Sequence, residues 1–197
     1  EEGVHYVSPE RGGQLQYEPN IAQVEMDPQQ RGRTRTSNNF NGSYRQESIA
    51  RISTLLNYVG RHGAGELAVE EFWNTFDALV SDVLPTIDLV TTNSPPFYGL
   101  TRTDTNQEIS SGQNVLSTGE TEAVSVALDV AATAWVWRLN PERFQVIMID
   151  EIDAHFHPDL QVRFARFIAS ISAEFDCQIL LATHNPGMIA SLSAYVE

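Results

Sequence analysis

The segment Val146–Pro158, with the sequence VIMIDEIDAHFHP, decides the fold. Four apolar residues run directly into two adjacent carboxylates, Asp150 and Glu151, and a proline then opens a new segment. A continuous apolar run of this length is typical of a strand buried on both faces of a parallel sheet. We therefore expect both carboxylates at the carboxyl end of that strand, where open α/β sheets bind their ligands.

Further elements alternate along the chain. Apolar spacing predicts strands and helices over the following ranges: strands at Val4–Val7, Ile87–Thr91, Val146–Ile149 and Cys177–Ala182, and helices at Tyr44–Val59, Ala68–Leu84, Gly119–Leu139, Pro158–Glu174 and from Pro186 onward. Gly60 is a plausible cap of the first helix, and Pro85 ends the second. The regular second half indicates an α/β, doubly wound, mainly parallel sheet with a helical subdomain. We expect a strand and flexible excursion over 1–43, helices and a loop over 44–115, and the sheet half over 116–197.

Composition narrows the class of protein. At 197 residues and 42% hydrophobic content the chain can form one domain with a substantial core. A single cysteine, Cys177, excludes an internal disulfide and fits a reducing compartment such as the cytoplasm. No segment has the apolar length of a transmembrane helix, and no signal peptide opens the chain. A start at Glu1 rather than Met suggests a processed, trimmed or excised piece.

The charge balance argues against one kind of partner. A formal net charge of −14 disfavours a broad DNA-binding face, although it leaves room for a local one. The run Arg31–Arg35, RGRTR, could contact phosphates, but a solvated loop is the simpler interpretation. All 12 basic residues are Arg, so the chain contains no Lys.

Three short motifs follow in order. Ser117 and Glu120 have the spacing of a capping box ahead of a long helix, and the same helix N-terminus is also suited to bind an anion. Asp150 and Glu151 could cap loops, or Asp150 could support Mg²⁺ while Glu151 acts as a general base. His184 follows the next strand and could be structural or could contact a phosphate or an attacking water.

Two further histidines allow a metal interpretation. His155 and His157 form an HxH pattern near Asp153, which could bind Zn²⁺. No third and fourth ligands are evident nearby in the sequence. Packing and dimer contact are therefore the preferred interpretation of the pair.

The order LSTGE, hydrophobic-DE, D-x-HFHP and ATHN resembles the distal half of an ATP-binding-cassette (ABC) ATPase, in the branch that contains RecF, SMC and OLD-like proteins. The resemblance covers roughly residues 110–190. It implies a P-loop NTPase lobe that uses ATP and Mg²⁺ in a head-to-tail dimer. The residue roles it implies are these: a signature segment that contacts the partner's nucleotide, Ser117, Thr118, Gly119 and Glu120; a Walker B segment with a metal-supporting Asp150 and a catalytic Glu151; a D-loop and dimer contact with Asp153, His155 and His157; and a switch histidine, His184.

One departure from the family pattern is large. The family's P-loop, GxxxxGK[ST], needs a Lys for the β- and γ-phosphates, and this chain has none. Either the chain is the C-terminal part of a longer ATPase, or it is a degenerate paralogue. The intact remaining motifs favour the first, with the P-loop on an upstream or partner segment.

The resemblance implies DNA repair, chromosome maintenance or defence against phage, with DNA or a nuclease as possible partners and no membrane. Three alternatives stay open: a transporter ATPase subunit, a non-catalytic interaction module that kept the fold, and an HxH zinc metalloenzyme.

Overall fold

The structure is a computed structural model that describes residues 3–9, 11, 18–21, 44–62, 66–92, 98–109, 116–139 and 144–195. At 57–62, 66–69 and 91 it describes the backbone alone. The Arg31–Arg35 run and most of the excursion over 17–43 lie outside these residues. The elements are, in order, β1 Val4–Val7, α1 Tyr44–His62, α2 Glu66–Val83, β2 Ile87–Thr91, β3 Tyr98–Arg102, α3 Thr118–Leu139, β4 Val146–Asp150, a 3₁₀ helix Ile152–His155, α4 Pro158–Phe175, β5 Gln178–Ala182 and α5 Pro186–Leu192.

The described residues form two sheets. Strands β1, β4 and β5 make a parallel sheet in that order, and β2 pairs with β3 in an antiparallel hairpin. The predicted α/β class with a mainly parallel sheet is confirmed. Since β1 pairs with β4, the sheet joins segments that are about 140 positions apart in the sequence.

Helix α3 is the centre of the packing. Its sequence is rich in Ala and Val, 16 of its 22 residues are buried, and it contacts α1, α2 and α4. A helix that is apolar on all sides is stable only when surrounded in this way. The predicted capping box is present: the Glu120 N–H donates to Ser117 Oγ at 3.2 Å, and the Ser117 N–H donates to Glu120 Oε2 at 2.8 Å. Such a cap contributes about 1 kcal/mol.

Several boundaries differ from the predictions. α1 continues through Gly60 to His62, so the predicted glycine cap is wrong. The Pro- and Thr-rich loop predicted within 44–115 contains a strand, β3. Tyr98 and Leu100 of this strand are buried in the core. The other predicted elements are present within a few residues of their expected ends.

One face of the parallel sheet is buried and the other is open. His5, Val7, Ile147 and Ile149 are at most 5% exposed, whereas Tyr6 is 38% and Leu180 57% exposed on the opposite face. The expectation that β4 is buried on both faces is therefore wrong for the described residues. The register places Tyr6, Met148 and Leu180 in one row across this open face.

A group of polar and charged side chains, all buried except the half-buried Tyr44, connects β1, α1 and α3. We call it the Asp129 cluster; its members are His5, Tyr44, Arg51 and Asp129. His5 Nε2 lies 2.7 Å from Asp129 Oδ2, the Tyr44 hydroxyl donates to the same oxygen at 2.9 Å, and the Arg51 guanidinium pairs with Oδ1. Asp129 is fully buried, and burial raises the pKa of Tyr44 above its usual value.

The buried side chains of all three predicted parts of the chain, from Val7 to Met188, join one hydrophobic core. The three-part division of the chain stays a prediction. In the part of the chain that the structure describes, no helix is long and apolar enough to cross a bilayer.

Candidate active site at the carboxyl ends of β1, β4 and β5

The three parallel strands end at one edge of the sheet, which we call the strand-end site. Its side chains are those of Tyr6, Arg11, Asp150, Glu151, Asp153, Thr183 and His184. Since parallel strands place their carboxyl ends together, residues distant in sequence meet there. Tyr6 lies on β1 and Arg11 follows it, the acidic pair lies at the end of β4, and Thr183 and His184 follow β5.

The two adjacent carboxylates face different neighbours. The Tyr6 hydroxyl donates to Asp150 Oδ2 at 3.1 Å, on the β1 side of the strand. Glu151 Oε1 lies 3.5 Å from His184 Nε2, on the β5 side. The like charges are therefore each placed beside a polar partner of their own.

The backbone of Glu151 explains this divergence. Glu151 has φ 46° and ψ 45°, a left-handed conformation that is uncommon for a residue with a side chain and costs about 1–2 kcal/mol. The turn ends β4 and begins the 3₁₀ helix. It also releases Glu151 from the strand's alternation, so its side chain reaches the β5 side.

Glu151 and His184 are both accessible to solvent. The Glu151 side chain is 52% exposed and the His184 side chain 94% exposed. A carboxylate and an imidazole at 3.5 Å in an open position can bind a phosphate and take a proton from a water molecule. The roles of Glu151 and His184 expected from the sequence stay predictions.

Asp153 has a different environment from the acidic pair. It is 4% exposed, and the Thr183 hydroxyl donates to its Oδ2 at 2.7 Å. Thr183 Oγ1 in turn accepts the N–H of Asn185 at 3.0 Å, and Asn185 caps α5. Asp153 is thus hydrogen-bonded to the segment that carries His184.

The start of α3, at Gly119, packs against the 3₁₀ helix. Gly119 is buried, and a side-chain carbon at this position would collide with the carbonyl oxygen of His155. Glycine is required here by close backbone approach. Ser117 and Thr118 are exposed at the N-terminus of α3, so they are available to a second molecule.

His155 and His157 are both exposed, and His157 Nδ1 lies 4.0 Å from Asp159 Oδ2. Among the described residues, no group of three His, Cys, Asp or Glu side chains could hold a metal ion. The HxH zinc hypothesis therefore gains no third ligand. Mg²⁺ has a different requirement, because it is commonly held by one or two carboxylates together with substrate phosphates. The acidic pair fits that donor set.

Sequence reasoning missed two members of the site, Tyr6 and Arg11, and it gave no role of its own to Thr183, which stands in the ATHN motif. Arg11 is 6% exposed and follows β1. The signal that could have found it is an arginine four residues after a predicted strand, in a chain with few cations.

The family of this chain follows from a comparison with known proteins. A family model described as "AAA ATPase domain" matches residues 33–189, most of the chain. The chain belongs to the AAA ATPase domain family. This confirms the recognition made from the order of the motifs. The comparison with curated proteins finds no match.

Solved structures with a similar fold include SMC proteins. One, described under ATP-driven dimerization and DNA stimulated activation of SMC ATPases, is 20% identical with a TM-score of 0.47, over 69% of this chain and 77% of that one. The SMC head domain from Thermotoga maritima is 19% identical with a TM-score of 0.43, over 73% and 44%. An SmcHead bound to the C-winged helix domain of ScpA is 17% identical with a TM-score of 0.49, over 88% and 48%. The chain spans less than half the length of the last two.

Proposed function

We propose that this AAA ATPase domain is the signature and Walker B lobe of an enzyme that binds and hydrolyses ATP between two molecules arranged head to tail. The observation that supports the proposal best is the 3.5 Å approach of Glu151 Oε1 to His184 Nε2 at the ends of neighbouring parallel strands. Two residues that the motifs assign to one reaction thus lie within reach of one small ligand.

Each residue has a role in this proposal. Glu151 accepts the proton of the attacking water, and its exposed carboxylate leaves room for that water. His184 contacts the γ-phosphate and reports its presence through Thr183 to Asp153. Asp150, oriented by Tyr6, would hold Mg²⁺, which neutralises phosphate charge when bound. Ser117, Thr118, Gly119 and Glu120 face the nucleotide of the second molecule.

In this proposal the phosphate-binding P-loop lies outside this chain. Since the chain contains no Lys, the P-loop lysine must belong to another segment, either of the same polypeptide or of a partner. His155 and His157, both exposed beside Asp153, contribute to the contact between the two molecules. DNA repair, chromosome maintenance or anti-phage defence in the cytoplasm is the biological setting that the motif resemblance favours.

The test is Glu151→Gln in the full-length protein, with its P-loop segment present. We expect turnover to fall by about 10²- to 10⁴-fold, because the general base is lost, while ATP binding and dimerisation persist. Glu174→Gln is the matched control, since the Glu174 side chain is 51% exposed and lies on α4 away from the site. Turnover measured by phosphate release should be unchanged in the control.

Two results would contradict the proposal. Unchanged turnover in Glu151→Gln would show that Glu151 is not the general base. Failure of the full-length protein to bind ATP would favour a non-catalytic interaction module. The isolated 197-residue chain, which lacks the lysine, is expected neither to bind nor to hydrolyse ATP appreciably.

A further inference from the structure

The carbonyl groups that follow β4 need partners that the sheet does not supply. The β1–β4 ladder ends at the pair Val7 and Ile149, so β4 continues one residue beyond its neighbour. On the other side, the Glu151 N–H donates to the carbonyl oxygen of Ala182 at 3.0 Å. The carbonyls of Asp150 and Glu151 are left facing the loop after β1.

The Arg11 side chain donates hydrogen bonds to both of these carbonyl groups. Its Nη1 donates to the carbonyl oxygen of Asp150 at 3.0 Å, and its Nη2 donates to that of Glu151 at 3.0 Å. Nη1 also donates to the Ser8 carbonyl at 2.5 Å, which fixes the loop that carries the arginine. The guanidinium is planar with donors in a fixed fork, so it holds two consecutive peptide units in one orientation.

We propose that Arg11 is a positioning residue for ATP hydrolysis, which holds the left-handed backbone of Glu151 and so aims its carboxylate at the attacking water. This inference rests on the proposed function of Glu151. The left-handed conformation is strained, and strained residues persist only when their surroundings fix them. Ala182 fixes the N–H side of Glu151, and Arg11 fixes its carbonyl side.

The proposal predicts an effect on the chemical step alone. In the full-length protein, Arg11→Gln should lower kcat by about 10- to 100-fold, because a displacement of about 1 Å at the base is sufficient for a loss of this size. The dissociation constant of ATP should stay within about twofold, because Arg11 contacts protein carbonyls. Arg11→Lys keeps the charge without the fork, and its kcat should be intermediate.

Arg166→Gln is the control variant. Arg166 is exposed on α4 and pairs with Asp82 of α2 at 3.5 Å, remote from the strand ends. Its kcat and its affinity for ATP should both equal those of the unmodified protein. The unfolding temperature of every variant is measured in parallel. If Arg11→Gln does not fold, Arg11→Lys supplies the same comparison of kcat with affinity.

A double variant separates this inference from the proposed function. If Arg11 acts through Glu151, adding Arg11→Gln to Glu151→Gln should cause no further loss of turnover. Loss of turnover in Glu151→Gln together with unchanged kcat in Arg11→Gln would overturn the role of Arg11 and leave the ATPase assignment standing. Equal losses of ATP affinity, stability and kcat in both Arg11 variants would also overturn it, since they indicate a structural role. If Glu151→Gln retains full turnover, both the proposed function and this inference fail.

Discussion

The Asp129 cluster and the strand-end site are built from the same residue types, but only the strand-end site includes strongly exposed side chains, those of Glu151 and His184. Each has carboxylate, histidine, tyrosine and arginine side chains, and each draws one strand residue from β1. Asp129 is fully buried, and both its oxygens have close partners. Glu151 is 52% exposed beside a histidine that is 94% exposed. A saturated buried group can only stabilise, whereas an exposed group can exchange protons and bind ligands.

The largest expected difference is in stability. Asp129→Asn should lower the free energy of unfolding by about 3–5 kcal/mol, because it breaks a buried ion pair by removing the charge of the carboxylate that faces Arg51. Asp150→Asn, its matched variant in the exposed site, should lower it by at most about 1 kcal/mol. Urea denaturation of both variants tests this contrast. A larger loss for Asp150 than for Asp129 would reverse the comparison.

Alkaline pH should separate the two tyrosines. Burial raises the pKa of Tyr44, so the folded state favours the neutral phenol. Its contribution to stability is fully present below the unfolded value of about 10 and is lost above it, by about 1.4 kcal/mol per pH unit. Partial desolvation, and then the hydrogen bond to Asp150, also raise the pKa of Tyr6, but its surface position allows ionisation without unfolding.

Phenolate absorbance measured against pH distinguishes these two cases. Tyr6→Phe should remove a signal that appears before the protein unfolds, and Tyr44→Phe should remove one that appears only with unfolding. Ionisation of Tyr44 in the intact fold would show that the Asp129 cluster is more open than its burial indicates.

The smallest effect on stability is expected at His184. Because its side chain is 94% exposed, His184→Gln should leave the unfolding temperature within about 1 °C while it lowers ATP turnover in the full-length protein. Calorimetry and phosphate release on the same preparation measure both. A drop of several degrees would mean that the strand-end site is structural as well.

Local patterns predicted the elements well wherever a strong period or a cap was present. The continuous apolar run predicted β4, and the Ser117–Glu120 spacing predicted the start of α3. β3 was missed because Tyr98–Arg102 is short and its polar surroundings resemble a loop. Gly60 was assigned as a cap, but α1 continues through it.

Only some residues of the strand-end site can be predicted from sequence, because local patterns do not report tertiary contacts. Motifs within one segment identify Asp150, Glu151 and His184, because strand ends and polar residues coincide in sequence there. The contributions of Tyr6 and Arg11 depend on pairing between β1 and β4, and no local pattern reports which strands are neighbours. The left-handed turn at Glu151 is likewise a product of the tertiary fold.

The pairing of β1 with β4 also governs the order in which the molecule is made. Arg11 and Glu151 are separated by 140 positions, so closing this contact requires all the residues between them to have been made. At roughly 5–20 residues per second, translation would deliver Glu151 about 7 to 30 s after Arg11. During synthesis, β1 therefore remains without its neighbour β4 until β4 has been translated. Completion of the strand-end site is a late event in biogenesis, and a nascent chain cannot acquire it before α3 and β4 have emerged.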